Sequence, residues 1–418
     1  MKQKLLSVFA LLSMAVTGAW AQIPSETIVT TVSNFDMDHL TSHGTYFDVE
    51  LLTTGEATID DDGMTANEGI KIKAKNGNKI NDLAIVCTYQ PGYVLMDNLS
   101  VTAGTIAIKR MSHETIIFIT GIGNADEVTF TDLSTKPHYK EIQLNYFVGV
   151  NDRADLEQMV NDHAGTKVGI YHTRKFKENV VATICLPFGV EAFTSGSIYE
   201  FVDINYDEGE GKWIASFTQK VKDASEVMSA PFTTAGVPYL FKPNKTEAVT
   251  FVGTNHNVLT NVALYDDQIT SIASTDYDWQ LTGTYQRIDW DQSLGNYYGF
   301  VSAYKDGVEV DFTSEIVEAG QFVKSAAGGY FPAFRGFLEY GDFTPAPSRG
   351  LAVEKASAPT SVVVRLINKT DEETDGVKTV KTTVASNDCW YDLQGRSYSS
   401  KPAKAGIYVK NGVKMIVK

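Results

Sequence analysis

The residues best suited to chemistry are aromatic and acidic, and they gather in one tract. Tyr277, Trp279, Tyr285, Trp290, Tyr297, Tyr298 and Phe300 follow one another closely, and Asp289 and Asp291 flank Trp290. Exposed indole and phenol rings stack on the apolar faces of sugars, while carboxylates accept hydrogen bonds from hydroxyls. Trp290, Asp289, Asp291 and Tyr297 are therefore the candidate ligand-binding residues. Strands also recruit aromatics for their cores, so most of these rings are expected inside. Trp290, between two acids in a predicted loop, is the expected exception.

Other constellations fail on spacing. Asp203, Asn205 and Asp207 occupy the first three ligand positions of an EF-hand loop, but Glu208 stands where the turn needs glycine and Ile214 where a bidentate Glu belongs. Asp289, Asp291 and Ser293 begin alike, and Leu294 and Phe300 spoil the same two positions. Both stretches read as solvated acidic turns. His39 and His43 lie near Asp36 and Asp38 without a His-Glu-x-x-His pattern, and His172 shares strand parity with Val168 and Ile170, as a packed histidine would. No metal centre or cofactor is expected.

Nucleophilic catalysis finds no purchase either. Gly-x-Ser-x-Gly is missing, and Gly121-Ile-Gly-Asn-Ala-Asp126 lacks the third glycine of a phosphate-cradling loop. Cys87 and Cys185 lie in apolar, strand-like runs where a thiol serves as a small hydrophobe, and with Cys389 they are too few for a disulfide framework. Glycoside hydrolysis needs two carboxylates set in space, and 51 acids offer no basis for choosing a pair. No catalytic residue is nominated.

The elements that must position any site are strands. Ile70, Ile72 and Ala74 alternate with Lys71, Lys73 and Lys75, and Ile142, Leu144 and Tyr146 with Glu141, Gln143 and Asn145. Such strands bury one face and wet the other, as in antiparallel sandwiches. Asp62-Gly63, Asn76-Gly77 and Asp306-Gly307 punctuate them. One helix is expected at Asp152–Asn161, where Leu156, Met159 and Val160 share a face. The fold class is all-β: tandem antiparallel β-sandwich-like domains, a short connecting helix and a small C-terminal β-hairpin region.

Lys2 and Lys4 precede the uncharged run Leu5–Ala21, which ends Ala19-Trp20-Ala21 and reads as a secretory signal cleaved before Gln22. Residues 1–21 are thus the expected signal peptide, 22–148 a first β-sandwich domain, and 149–368 a second β-rich domain, with 369–385 an acidic linker and 386–418 a C-terminal β segment. Pro345 and Pro347 mark a loop near the second boundary, after which Val362–Ile367 can return to the second sheet. In the final segment, Asn411-Gly412 between Ile407–Lys410 and Val413–Val417 calls for a type I′ turn that pairs Ile407 with Ile416 and Tyr408 with Met415. Removing the leader with Lys2 and Lys4 leaves 34 basic against 51 acidic residues, a net of −17. Such a chain repels nucleic acid and anionic lipid. With 43% hydrophobic and 11% aromatic residues, it is expected to be folded and soluble.

Two stretches resemble known families. Cys389-Trp-Tyr-Asp-Leu-Gln-Gly-Arg396, followed by Gly406–Lys418, is similar to the C-terminal sorting domains of the type IX secretion system of Bacteroidetes. That likeness implies passage across an outer membrane, followed by attachment to its surface or release. Phe176–Val190, Ala235–Phe241, Leu281–Tyr285 and Tyr330–Leu338 resemble, in order, a module recurring in surface and secreted Bacteroidetes proteins, for which no catalytic role follows. The first domain, through Phe118–Asn124, is similar to small β-sandwich modules of the same organisms. The expected function is non-enzymatic binding or adhesion at the cell surface or beyond, to a glycan or a host protein. A structural component of a surface assembly is the first alternative, and a secreted polysaccharide hydrolase without a recognisable motif the second.

Overall fold

The computed structural model describes residues 25–29, 35–36, 38–53, 58–60, 63–65, 68–88, 99–112, 114–132, 138–257, 261–290, 296–305, 308–309, 319–326, 328–344, 358–368, 390–392, 397–398, 406–410 and 413–417. The expected leader 1–21, Asp62, Asp291, Asp306-Gly307, Pro345, Pro347, the expected linker 369–385, Cys389 and Asn411-Gly412 lie outside the described residues. The chain forms two compact units, divided between Lys369 and Thr370. Strands dominate both, and the one described α-helix, α1 (Arg153–His163), lies in the first. The all-β fold class is thus observed.

The first unit opens with a β-sandwich. One sheet runs in the order Thr105–Arg110, Glu114–Thr120, Leu83–Thr88, His138–Leu144, Gly63–Thr65, Thr58–Asp60, with Glu26–Val29 also on His138–Leu144. The other runs Phe35–Asp36, Thr41–His43, Phe47–Leu52, Gly69–Ala74, Glu127–Asp132, Leu99–Val101. Period-two alternation supplies the core between them: Phe47, Val49, Ile70 and Ile72 from one sheet meet Leu83, Ile85, Ile117 and Ile142 from the other. The outward lysines join across strands, Lys73 to Glu50 at 2.6 Å and Lys75 to Asp48 at 3.0 Å. Asn76 and Gly77 both take positive φ, 57° and 77°, and Asn78 N donates to Lys75 O at 3.0 Å, closing the turn that this pair favours.

Leu83–Thr88 does not alternate. Its outer face is covered, because Ala84, Ala107 and Phe118 pack against Ala192 and Val252 of the next region. That region's first strand is Phe147–Gly149. The strand from His138 ends at Leu144, Asn145 takes φ 57°, and Phe147–Gly149 pairs in parallel with Lys167–Phe176. Phe147–Gly149 therefore belongs to the second β region.

The second region holds a four-stranded sheet, Phe147–Gly149, Lys167–Phe176, Glu247–Asn257, Ala192–Phe193, and a ten-stranded one. The long sheet runs Ala182–Cys185, Pro238–Lys242, Ser197–Asp207, Lys212–Val221, Ser361–Ile367, Phe322–Lys324, Tyr297–Phe300, Arg335–Tyr340, Trp279–Thr284, Ile272–Ala273. Ser361–Ile367 does return to this sheet, parallel to Lys212–Val221. The sheet curls until its first strand lies against its eighth and ninth. Thr183 Oγ1 donates to Gly336 O at 2.9 Å, and Cys185 N donates to Phe334 O at 3.2 Å. Trp279, Tyr298, Phe217 and Leu338 fill the space enclosed. Helix α1 starts at Asp152, whose Oδ1 accepts from Ala154 N and Asp155 N, and it buries Leu156 and Met159.

The second unit is a four-stranded sheet, Ser397–Tyr398, Trp390–Asp392, Gly406–Lys410, Val413–Val417. Its hairpin pairs Ile407 with Ile416 and Tyr408 with Met415, the register a two-residue turn requires.

Closure of the long sheet has a tight point that can be tested. A Cβ on Gly283 would stand 2.3 Å from Cys185 Sγ and 2.7 Å from Cys185 Cβ. Gly283→Ala is expected to destabilise the fold by about 1–3 kcal/mol, the usual cost of an added methyl in a filled core. Cys185→Ala in the same background should relieve part of that loss, since the sulfur goes and the Cβ stays. Urea midpoints of the two single variants and the double variant measure the coupling; additive effects would show that the contact is not tight.

Candidate functional site

A cleft opens where the sandwich hands the chain to the second region. Its volume is about 380 Å³, within the range of small-ligand sites, and Asp82, Tyr146, Phe147, His163, Thr166 and Lys167 are among its walls. Two chain segments build it. Asp82 closes the approach to the central strand Leu83–Thr88, and Asn145 leaves His138–Leu144 in the left-handed conformation, which asparagine tolerates.

Asp82 then captures the turning backbone. Its Oδ1 accepts from Tyr146 N at 2.9 Å and Phe147 N at 3.2 Å, while its carbonyl accepts from Asn145 N at 3.1 Å. Asn145 completes the junction: its Oδ1 accepts from Asn81 N at 2.8 Å and its Nδ2 donates to Lys79 O at 3.0 Å. The redirected chain passes Gly169, where a Cβ would meet the Phe147 ring at 2.2 Å.

The electrostatics of Asp82 are set by burial. Only 4% exposed, the carboxyl is pushed up to about 7 by desolvation, against which the Phe147 and Tyr146 N–H groups act. Burial, with the Asp82 charge adding to it, also raises the Tyr171 phenol. A carboxyl poised near neutrality can donate or accept a hydrogen bond to a ligand hydroxyl. Glycosidases flank the scissile bond with two carboxyl groups; among the described walls of this cleft, Asp82 is the one carboxylate.

The aromatic tract lies elsewhere. Trp290 is 7% exposed, so it is not the open platform expected of a loop tryptophan. Its indole stands edge-on to Phe331 at 4.1 Å and near Tyr297 at 5.1 Å, and its N–H backbone donates to Gly329 O at 2.9 Å. The physical reason is the pairing of Ile288–Asp289 with Tyr330–Phe331, which draws the next residue beneath the sheet. Asp289 is exposed and accepts from Arg287 Nε at 2.8 Å, and Arg287 in turn lies 3.8 Å above the Tyr330 ring. Tyr297 is half-buried beside Phe337, with its phenol raised by burial and by Glu339. Asp291 is outside the described residues. Trp279, Tyr285 and Tyr298 are fully buried.

The other acids and histidines serve local geometry. Asp203 Oδ1 accepts from Ile204 N and Thr275 N, each at 2.8 Å, and Asp207 Oδ1 closes a turn on Gly209 N and Glu210 N. His39 and His43 bind different acids, Asp36 at 2.7 Å and Asp48 at 3.0 Å. Among the described residues, no three His, Cys, Asp or Glu side chains gather as metal ligands. His172 is buried, its Nδ1 2.9 Å from Val150 O, and desolvation lowers it to about 3. Burial drives the Cys185 thiol upward, away from the reactive thiolate.

Sequence reasoning missed Asp82. The available signal was its place, an acid directly before the apolar run Leu83–Cys87. The chain matches no protein-family model, no curated protein and no solved structure.

Asp82 gives a pH signature. Its folded value near 7 lies above the unfolded value of about 3.9, so the native state keeps a proton that the unfolded chain has shed. The stability it contributes is complete below about pH 4 and is lost as pH rises through about 7. Asp82→Asn is therefore expected to gain on the wild type across that window, by on the order of a few kcal/mol, and to hold a constant advantage above it. Urea unfolding of both proteins at about pH 4 and about pH 8 measures this; a difference independent of pH would refute it.

Proposed function

We propose that this chain is an exported protein of the cell surface or its surroundings, and that it binds a glycan or a host protein without transforming it. The observation that carries the reading is the cleft at the junction of the two β regions. An aromatic side chain, a lysine, a threonine, a histidine and a carboxyl near neutrality converge there on one volume. Such a mixture suits hydroxyl-rich ligands, which need directional donors and acceptors beside an apolar wall. The uncharged run Leu5–Ala21 and the sorting-like tail Cys389–Lys418 support export, and the tail supports attachment to an outer-membrane surface. The strongly acidic composition argues against nucleic acid.

The test is a binding screen of the mature chain against glycans and extracellular host proteins, run beside a variant with the cleft mouth filled. Thr166→Trp with Lys167→Glu alters two exposed residues and should leave the fold intact. A ligand bound by the wild type should lose about tenfold or more in affinity for the variant. Equal binding by both proteins would place recognition outside the cleft. Sugar release from polysaccharides would favour the hydrolase, and oligomers without ligand would favour the assembly.

A further inference from the structure

Arg174 and Arg335 face one small cavity in which, among the described residues, no acid stands between them. Arg174 lies on Lys167–Phe176, in step with His172 and Phe176, and Arg335 begins the strand Arg335–Tyr340. Closure of the ten-stranded sheet brings them together, and Thr183, Ser302, Pro332 and Gly336 complete much of the wall. The cavity measures about 30 Å³, room for roughly two water-sized groups. Both residues are half-buried.

The two guanidinium groups are under-used. Each offers five N–H donors. Arg174 Nη1 donates to Thr183 O at 2.9 Å, and its guanidinium lies 4.5 Å from the Phe176 ring. Arg335 Nη1 makes only long contacts, 3.5 Å to Ala333 O and 3.4 Å to Phe334 O. Among the described residues neither arginine is held by a carboxylate. Desolvation and the nearby Arg335 charge depress Arg174, and desolvation pushes Arg335 down to about 9. Two neighbouring buried cations cost free energy unless something neutralises them, and arginine does not shed its proton to escape. A chain with 51 acids has placed none of its described ones here.

We propose that Arg174 and Arg335 form a binding site for a small oxyanion, either a carboxylate or a sulfate group. The cavity has room for about two of the group's oxygens, and the rest of the group lies at its mouth. Paired guanidinium forks suit planar and tetrahedral oxyanions, because each can offer two parallel N–H donors. The source is a free ion or a group carried by an acidic sugar whose ring stays outside. This site is separate from the Asp82 cleft and stands or falls without it.

The test titrates the mature chain in chloride buffer at constant ionic strength with acetate, sulfate, glucuronate, a sulfated monosaccharide and neutral glucose. Calorimetry and the thermal midpoint are the readouts. Saturable binding and a raised midpoint are expected with at least one oxyanion, and no effect with glucose. Arg335→Gln should weaken binding about ten- to a hundredfold, as loss of charge-assisted hydrogen bonds does. Arg335→Lys keeps the charge without the fork and should fall between, which serves if the glutamine variant fails to fold. Tighter binding of the sugar acids than of acetate or sulfate assigns the site to a glycan group, and the reverse assigns it to a free ion. An effect that chloride reproduces, no saturation by the wild type, or unchanged binding by a folded Arg335→Gln protein overturns the proposal.

Discussion

The structure of the second β region depends on one close approach, that of Cys185 to Gly283. A ten-stranded sheet left open would present two edges and an apolar inner face to water. Natural twist brings the ends toward each other, but the last step requires backbones to pass nearer than a side chain allows. Gly283 grants that approach to Cys185, and beside it the Thr183 hydroxyl donates to the Gly336 carbonyl. The aromatics Trp279, Tyr298 and Tyr340 then pack as edge-on and tilted rings, with Trp279 5.0 Å from Tyr298 and 4.7 Å from Tyr340. Closure also fixes the spacing of Arg174 and Arg335, which come from different sheets. The cationic cavity is a by-product of the same event that completes the core.

The two β regions are joined on both polar and apolar terms. Ala84, Ala107 and Phe118 leave the sandwich a flat apolar outer face, and Ala192 and Val252 cover it. Beside this patch Lys109 pairs with Glu191, both little exposed, and Thr254 Oγ1 donates to the same carboxylate at 2.6 Å. A buried ion pair adds little net stability, yet removing one partner is costly, so the pair fixes register more than it strengthens the joint. The Asp82 cleft lies along the same junction. Its shape follows from how the regions meet.

The all-β architecture was legible because period-two alternation reports directly on a half-buried sheet. Ile70 and Ile72 against Lys71 and Lys73 needed no tertiary information. The helix was legible for a similar reason, with Asp152 as its cap and Leu156 and Met159 on one face. What stayed hidden depends on contacts distant in sequence. Alternation at Leu83–Thr88 is suspended because a second region covers the outer face, and nothing near residue 84 announces that region. Trp290 looked exposed because acids flank it, but the pairing of Ile288–Asp289 with Tyr330–Phe331 carries it under the sheet. Asp82 and the two arginines were invisible as sites, since burial of a charge is a property of the assembled fold. The local hints were slight: an acid directly before the apolar run Leu83–Cys87, and an arginine in step with His172 and Phe176.

The two sites differ in how the charge of the whole molecule acts on them. The formal net charge is −15, so an approaching anion is repelled at long range. At physiological ionic strength that repulsion fades beyond about 8 Å, whereas the guanidinium groups act at hydrogen-bond distance in a poorly solvated cavity. Added inert salt should therefore quicken anion entry while weakening the bound state less than it would at an exposed lysine. At the Asp82 cleft the field acts the other way, favouring protonation of a carboxyl that burial already holds near neutrality. A neutral or weakly cationic ligand meets no such barrier there. For the two proposed sites the acidic surface would thus act in opposite senses, opposing the approach of an oxyanion and leaving a hydroxyl-rich group unopposed.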